Sequence, residues 1–210
     1  MSDADRMFAE QPRVEWRDGR PFATTRLDPE YAQELEQLAL DREKDITALP
    51  ISGEWHPIAH KNPTTARFSN YSSFLLSPAT LPLFFAIRAT YRRLLEEMGE
   101  KPQPRFIQCW YNIHRCGNSL VRHKHNYPFI GTFSAHSRGS ETRYGRSQET
   151  SDSDAVLQHI DGQLMVTTGD NNYHETSVWL DATRPRVTYA FDIVNRDQWK
   201  QGQIFLPFDA

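Results

Sequence analysis

The sequence predicts a domain of the α+β class, and two observations support this. In the first half of the chain, apolar residues recur at helical spacing, and from Arg105 onward the period changes to two. The later apolar runs are short and are separated by tight-turn signals such as Asp161-Gly162. Two helices followed by short strands joined by tight turns indicate a β-sandwich or a small barrel.

Length and composition indicate the domain number and the partners that this chain does not favour. The 210 residues and the 38% hydrophobic content suit one domain with a substantial core. The formal net charge is −3 and basic residues are scattered, so bulk electrostatics favours neither a nucleic-acid nor a membrane partner. No apolar run approaches the length of a bilayer span, and residues 1–6 are too polar for a secretory signal. Cys109 and Cys116 are too few for a disulfide framework, which indicates a reducing, cytoplasmic location.

The first elements are predicted from turn and capping signals. Residues 1–12 are expected to form a frayed tail, and Asp18-Gly19 is a hairpin turn signal between two apolar runs. A helix begins at Asp28, whose carboxylate can cap free N–H groups, with Pro29 at the first helical position. Its apolar face continues to about Arg42.

A second helix follows after an irregular passage. Residues 47–70 are rich in proline and polar side chains and predict a loop, and residues 71–76 predict a short strand. Apolar residues at helical spacing predict a helix over residues 81–97. Gly99 then ends that helix.

The rest of the chain is predicted to be mostly β-structure, because alternating and β-branched residues dominate it. Residues 137–154 are polar and poor in apolar side chains, so we expect a mobile loop there. Strands are expected at 106–113, 129–136, 155–160, 163–168, 173–180, 186–194 and 204–206.

Three histidines in this half suggest a metal site. His123 and His125 are two residues apart, and His174 follows a turn at the start of another predicted strand. On an extended strand, positions i and i+2 face the same side, so the first two rings can both point inward. Imidazole is the commonest protein ligand for Fe, Zn, Cu and Ni. The pair alone is a weak signal, and it gains weight from the residues that follow.

An arginine and a threonine downstream predict an anion anchor. Arg186 lies twelve residues after His174, and Thr188 shares its strand face. A buried guanidinium can pair bidentately with a carboxylate, and a hydroxyl two residues on can add a bond to the same anion. An ordinary ion pair on a strand is the alternative for Arg186, but it explains neither Thr188 nor the spacing from His174.

These residues resemble the pattern of the Fe(II)/2-oxoglutarate-dependent oxygenases over roughly residues 105–195. Members carry His-x-Asp/Glu, a distal His, and then an Arg that is often part of Arg-x-Ser. His123, His174 and Arg186-Val187-Thr188 match those positions. Trp110-Tyr111-Asn112, Gly117 and His123-Lys124-His125 are also similar to a bacterial and phage branch that reads W-x-N…G…H-x-H.

The resemblance implies a fold and a cofactor set. The fold is a double-stranded β-helix, a jelly-roll and cupin-like core, at about residues 105–206. Two N-terminal helices within residues 1–104 support it, and residues 1–210 form a single domain. The cofactor is Fe(II), with 2-oxoglutarate as co-substrate and O2 as oxidant. Arg186 and Thr188 would hold the C5 carboxylate of 2-oxoglutarate, whose decarboxylation is coupled to oxidation of a substrate C–H bond.

One position departs from the family pattern, because His125 stands where an acid is usual. Three neutral imidazoles leave the metal one negative charge short, which changes affinity and redox behaviour. His125 is itself a ligand, or an acid such as Glu141, Glu149 or Asp152 folds over from the polar loop, or the position stays open as in halide-transferring members. His125 is large for the last explanation. We favour a three-histidine site of His123, His125 and His174.

Residues near these positions are further candidates. Asn112 suits a contact to the metal site or to 2-oxoglutarate, and a hydrogen bond at a strand end explains it equally well. Trp110 alternates with Asn112 and can line the pocket, although core packing is the more common role of such a residue. We expect His136 and His159 to be surface or capping residues. Three further histidines are candidates for the cavity or its mouth: His56, His60 and His114.

The polar loop is the predicted substrate contact. Within 137–146, Arg138, Arg143 and Tyr144 are flanked by glycines and can close as a lid over a polar or anionic small molecule. A solvated loop is the alternative, since acidic residues follow directly.

Three functions are compatible with these residues. The first is a 2-oxoglutarate-dependent oxygenase that hydroxylates, or otherwise oxidises, a small polar or amino-acid-like substrate. The second is a three-histidine, cupin-type dioxygenase without 2-oxoglutarate, which would not need Arg186. The third is a β-sandwich binding module with incidental histidines. The sequence does not determine the substrate or the oligomeric state.

Overall fold

The computed structural model describes residues 8–49, 71–170, 172–199 and 202–209. Strands β1 (Phe8–Arg17) and β2 (Arg20–Leu27) form an antiparallel hairpin. The turn residues Asp18 and Gly19 have φ values of 49° and 64°, as the sequence signal predicts. The expectation of a frayed tail is wrong for residues 8–12, because they pair with β2. His56 and His60 lie outside the described residues.

Both helices are confirmed. Helix α1 (Pro29–Thr47) runs about one turn further than expected, and the Asp28 carboxylate accepts a hydrogen bond of 2.7 Å from the Glu30 amide. Helix α2 (Leu81–Met98) ends at Gly99, which adopts the left-handed conformation with φ 69°. In the described ranges, neither helix is sufficiently long and apolar to cross a membrane.

The strands form two antiparallel sheets. The major sheet has the order β1-β2-β8-β5-β10-β3-β11, and the minor sheet has the order β4-β9-β6-β7. The remaining strands are β3 (Arg105–His114), β4 (His123–Lys124), β5 (Phe129–His136), β6 (Glu141–Gly145), β7 (Ala155–Gln158), β8 (Gln163–Thr168), β9 (Tyr173–Thr176), β10 (Arg186–Val194) and β11 (Leu206–Asp209).

The two sheets face each other. Phe22 and Met165 of the major sheet form one buried cluster with Tyr144, Ala155 and Leu157 of the minor sheet. Two facing antiparallel sheets with this strand order, supported by two helices, confirm the expected α+β class and the double-stranded β-helix.

Three local predictions are wrong. Residues 71–76 contain a short 3₁₀ helix, Ser73–Leu75, instead of a strand, because Ser73 Oγ and Tyr71 Oη bond to the backbone of β3. Residues 137–154 are not a mobile loop throughout, because they contain β6, which pairs with both β7 and β9. The last strand begins at Leu206, later than expected.

The two faces of the major sheet have different chemistry. Alternate residues of β3 and β10 pack against the helices in the main core, and Tyr189 Oη donates to the Leu35 carbonyl of α1 at 2.7 Å. The alternate positions face the minor sheet and are mostly polar. They are Gln108, Trp110, Asn112 and His114 on β3, and Arg186, Thr188, Ala190 and Asp192 on β10. The interior between the sheets is therefore a polar site backed by an apolar core.

The packing of β10 against β5 predicts a stability difference between two glycine variants. A Cβ atom at Gly131 would collide with the Met165 carbonyl oxygen and the Phe191 ring, whereas one at Gly99 would meet nothing within 4 Å. Gly131→Ala should lower the free energy of unfolding by about 3 kcal/mol. Gly99→Ala should lower it by about 1 kcal/mol, because only its positive φ is strained. Urea unfolding measures both, and equal losses would contradict this account of Gly131.

Candidate metal centre

Three imidazole rings converge on the inner face of the minor sheet. His123 of β4 lies directly opposite His174 of β9, and Tyr144 of β6 lies opposite His174 on its other side. Directly opposed residues of antiparallel strands face the same side, so these side chains form a row. His125 follows two residues after His123. One ligand nitrogen from each histidine lies within 4.8 Å of the other two, and in the described ranges no other three His, Cys, Asp or Glu residues meet this criterion.

Hydrogen bonds orient all three rings in the same way. The Nδ1 atoms of His123 and His174 lie 2.9 Å and 3.4 Å from the carbonyl oxygens of Val121 and Asn172. His125 Nδ1 lies 2.6 Å from Asp192 Oδ1. Since these oxygens only accept, each Nδ1 carries the proton and each ring presents Nε2 as its metal-binding nitrogen.

The spacing of two nitrogens fits a metal ion. His123 Nε2 and His125 Nε2 are 3.1 Å apart. In neutral rings protonated at Nδ1, both atoms carry a lone pair, and two lone pairs at this distance repel each other. A cation between them removes the repulsion. Burial, together with the nearby His123 and His125, holds the pKa of His174 well below its usual value, so the His174 ring is neutral, as a metal ligand must be.

The loop acids do not join this group. Glu141 accepts a hydrogen bond of 2.7 Å from Gln158 at the sheet surface. Glu149 and Asp152 are exposed. Of the explanations for His125, the geometry favours the three-histidine set over a carboxylate supplied by these residues.

Arg186 is a buried cation at the start of β10. It is 3% exposed, its Nε donates to Ser140 Oγ at 3.1 Å, and its Nη1 donates to His114 Nδ1 at 3.3 Å. In the part of the chain that the structure describes, no carboxylate lies within 4.0 Å of it. Burial lowers its pKa to about 10, so it is still charged at neutral pH. A buried guanidinium without a counter-charge suits an anionic ligand.

Thr188 and Asn112 lie beside Arg186. Thr188 is two residues further along β10, and its opposite neighbours are Asn112 on β3 and Ser134 on β5. All three residues are buried on the inner face. The structure therefore brings the two predicted co-substrate contacts into one row next to the arginine.

Trp110 and Tyr144 lie against the histidines. The Trp110 ring is nearly parallel to His125, with an interplanar angle of 11° and a centroid distance of 6.1 Å. The Tyr144 ring lies 5.5 Å from that of His174. Burial raises the pKa of Tyr144, so it keeps its hydroxyl proton inside the β-helix. Tyr144 is thus an interior residue, in contrast to the expected lid.

The structure does not bring the two arginines of the expected lid to the histidines. Arg138 is exposed, and its amide donates to Asp161 Oδ1 at 3.0 Å. Arg143 alternates with the inward-facing Thr142 and Tyr144 on β6, and therefore faces outward. The prediction of a flexible lid at residues 137–146 is wrong, because pairing on both edges of β6 fixes this segment.

Two buried interior residues, His159 and Asp192, were not predicted from the sequence. His159, expected at the surface, is buried between Ser134 Oγ at 3.0 Å and Thr142 Oγ1 at 2.7 Å. Burial and the nearby Arg186 lower its pKa to about 3. Asp192 bonds His125, although nothing in the local sequence connects them. The available signal was periodicity, since Asp192 shares its strand face with Arg186.

Comparisons with family models and with curated proteins gave no match. Solved structures, in contrast, match most of the chain. A nickel complex of the non-heme monooxygenase ThoJ is 12% identical with a TM-score of 0.58, covering 99% of this chain and 83% of its own. A Pseudomonas putida prolyl-4-hydroxylase is 12% identical with a TM-score of 0.55, covering 83% and 88%.

A third similar structure is a prolyl hydroxylase from Trichoplax adhaerens in complex with a peptide fragment of hypoxia inducible factor. It is 12% identical with a TM-score of 0.56, covering 92% of this chain and 88% of its own. At such identities the likeness establishes the fold. The chain has the double-stranded β-helix fold of the Fe(II)/2-oxoglutarate-dependent oxygenases.

The histidine geometry predicts metal binding that depends on each ring. The metal-free protein should bind one equivalent of Co²⁺, and His174→Ala should weaken binding by at least about 100-fold, because it removes a ligand. His136→Ala is the matched control, since His136 lies outside the group. Anaerobic titration with a competing chelator measures both affinities. Equal binding by the wild type and His174→Ala would contradict the site.

The buried state of His159 predicts acid sensitivity. Its pKa falls from 6.5 to about 3 on folding, so the unfolded chain binds the additional proton between these values. Stability is therefore lost as the pH falls through this window, by on the order of 2 kcal/mol between pH 7 and pH 5. Between pH 7 and pH 5, the free energy of unfolding of His159→Gln should therefore fall by about 2 kcal/mol less than that of the wild type, as measured by urea unfolding. Between pH 7.5 and 8.5 the variant and the wild type should keep a constant difference, and an equal acid loss in both would contradict the assignment.

Proposed function

We propose that this protein is an Fe(II)- and 2-oxoglutarate-dependent dioxygenase that oxidises a C–H bond of a small polar or amino-acid-like substrate. One observation carries the proposal. A group of three convergent imidazoles shares the interior of one β-helix with a buried arginine that has no counter-charge among the residues the structure describes. The first suits a divalent metal and the second suits a carboxylate, which are the two needs of this reaction.

His123, His125 and His174 would hold Fe(II) through their Nε2 atoms. Their Nδ1 hydrogen bonds keep the rings in the binding tautomer before the metal arrives. When bound, Fe(II) with 2-oxoglutarate and O2 supplies the oxidation of the substrate C–H bond. A three-histidine set leaves other coordination positions to the co-substrate and to O2.

Arg186 would bind the distal carboxylate of 2-oxoglutarate, with Thr188 adding a hydroxyl bond. Arg186 is held in place by Ser140 and His114, so little ordering is needed on binding. His114 has a pKa of about 3 because of burial and the charge of Arg186. It is therefore neutral and accepts from the guanidinium without adding a second positive charge.

Three more interior residues complete the proposed site. Asn112 lies opposite Thr188 and is in position to orient the same co-substrate. The Tyr144 ring lies 5.5 Å from that of His174, Arg186 acts on it electrostatically, and its protonated hydroxyl can donate to a carboxylate. Trp110 lies nearly parallel to the His125 ring and would limit the access of water to that side of the metal centre. Arg138 and Arg143 have no part in this arrangement.

We extend the proposal to the organisation of the chain. Residues 1–210 would act as one domain, because both helices and the major sheet share one core. A reducing, cytoplasmic location suits the cysteines, of which Cys109 is buried in that core and Cys116 is exposed.

A three-histidine oxygenase that does not use 2-oxoglutarate is the second candidate, and the all-imidazole donor set favours it. Such an enzyme has no need for a buried, uncompensated Arg186. Anaerobic addition of Fe(II) and 2-oxoglutarate separates the candidates. A weak visible charge-transfer band of the chelate supports the proposal, Fe(II) binding without the band supports the second candidate, and no metal binding supports a binding module.

Arg186 and its neighbour Arg184 give a matched pair of variants. Arg186→Ala should raise the 2-oxoglutarate concentration needed to form the band by about 100-fold or more, because a buried charged anchor is lost. Arg184 pairs with Glu36 outside the β-helix, so Arg184→Ala should leave that concentration unchanged. Titration of the visible band under anaerobic conditions measures both. An unchanged requirement in Arg186→Ala would overturn its role.

A further inference from the structure

Asp192 is a buried carboxylate with an unusual environment. It lies near the end of β10, and only 4% of its surface is exposed. In the described ranges no Lys or Arg lies within ion-pair distance of it, and its ion-pair partner is His125, with Nδ1 and Oδ1 2.6 Å apart. A buried carboxylate is costly on its own and is stabilised by a hydrogen-bond donor or a positive charge beside it.

The direction of Asp192 follows from the strand. It is in phase with Arg186 and Thr188 and therefore faces the interior between the sheets. His125 comes from the opposite side, just after β4 of the minor sheet. Its ring is held between the Asp192 carboxylate at Nδ1 and the parallel Trp110 ring. Two residues of the major sheet thus fix the orientation of a ring carried by the minor sheet.

The donor set makes this contact electrically significant. Three neutral imidazoles bring no negative charge to a divalent cation, and no carboxylate of the described residues belongs to this group. A carboxylate bonded to Nδ1 of a metal-binding histidine makes Nε2 more basic and moves negative charge toward the metal. Here the bond is short, and it is shielded from water on the side of Asp192.

We propose that Asp192 supplies, through His125, the negative charge that the three-histidine centre otherwise lacks. Asp192 acts as a positioning residue, since it touches the ligand and not the metal. The inference rests on the metal site of the proposed function. One face of β10 would then have two roles. Arg186, at the start of the strand, would bind the anion, and Asp192, near its end, would support the bound cation.

The test compares two carboxylates that each face a histidine. Asp192→Asn keeps the shape and an accepting oxygen but removes the charge. Asp161→Asn is the matched control, because Asp161 pairs with His136 at 3.4 Å away from the three histidines. Anaerobic competition with a chromophoric chelator gives the Co²⁺ dissociation constant of each metal-free protein. We expect Asp192→Asn to weaken Co²⁺ binding by about 10- to 100-fold and Asp161→Asn to leave it unchanged.

A second background tests whether the charge acts through the imidazole. In His125→Asp the ring that bonds Asp192 is gone, so this route to the metal is lost. Adding Asp192→Asn to that background should therefore change Co²⁺ binding much less than it does in the wild type. Asp192→Glu, which keeps the charge, should stay closer to the wild type than Asp192→Asn does.

Any result other than these contradicts the inference. Wild-type affinity in Asp192→Asn, or equal weakening in both backgrounds, would show that the charge of Asp192 does not reach the metal through His125. A metal-free Asp192→Asn protein that no longer folds, judged by circular dichroism, would show a role in the fold instead. If the wild type itself binds no Co²⁺, the proposed function fails. If the wild type binds Co²⁺ and Asp192→Asn binds it equally well, only the role of Asp192 fails.

Discussion

The pairing of β10 between β3 and β5 is the constraint on which the rest of the structure depends. Its register aligns nine residues with β3, and every second residue enters the apolar core beneath the helices. A slip of one residue would bury Arg186 and Asp192 in that core and turn Val187 and Tyr189 toward the polar interior. Core packing therefore also holds the candidate site residues in place, because both sets of side chains lie on the same strand.

The interior of the β-helix is electrically asymmetric. Arg186 and Asp192 are both buried, and neither has an ion-pair partner among the lysines, arginines, aspartates and glutamates that the structure describes. His114, which bonds Arg186, and His174 of the histidine group are neutral because burial lowers their pKa values. In a water-poor interior such charges act strongly on ligands of the opposite sign. One end of β10 thus suits an anion and the other suits a cation.

The minor sheet positions the histidines and contributes little to the main apolar core. Strand β4 has only two residues, and its pairing with β9 places His123 opposite His174. A strand so short has little stability of its own, so the hydrogen bonds of the Nδ1 atoms and the contacts with the major sheet complete the arrangement. Arg122 forms a buried ion pair with Asp154 and a partly exposed one with Glu175, and these hold the neighbouring segment to the sheet.

The sequence by itself determined the elements whose signals are local, together with the candidate set of His123, His174 and Arg186. Helix α1 begins at its predicted cap, α2 ends at Gly99, and β10 has its expected bounds, because capping, left-handed glycine and period-two patterning act within a few residues. Tertiary structure alone decided the rest. Strand β6 exists because β7 and β9 pair with both its edges, which is why Tyr144 lies inside and Arg143 outside. The partner of His125 is 67 residues away along the chain, and only the facing of two sheets brings its Nδ1 to Asp192.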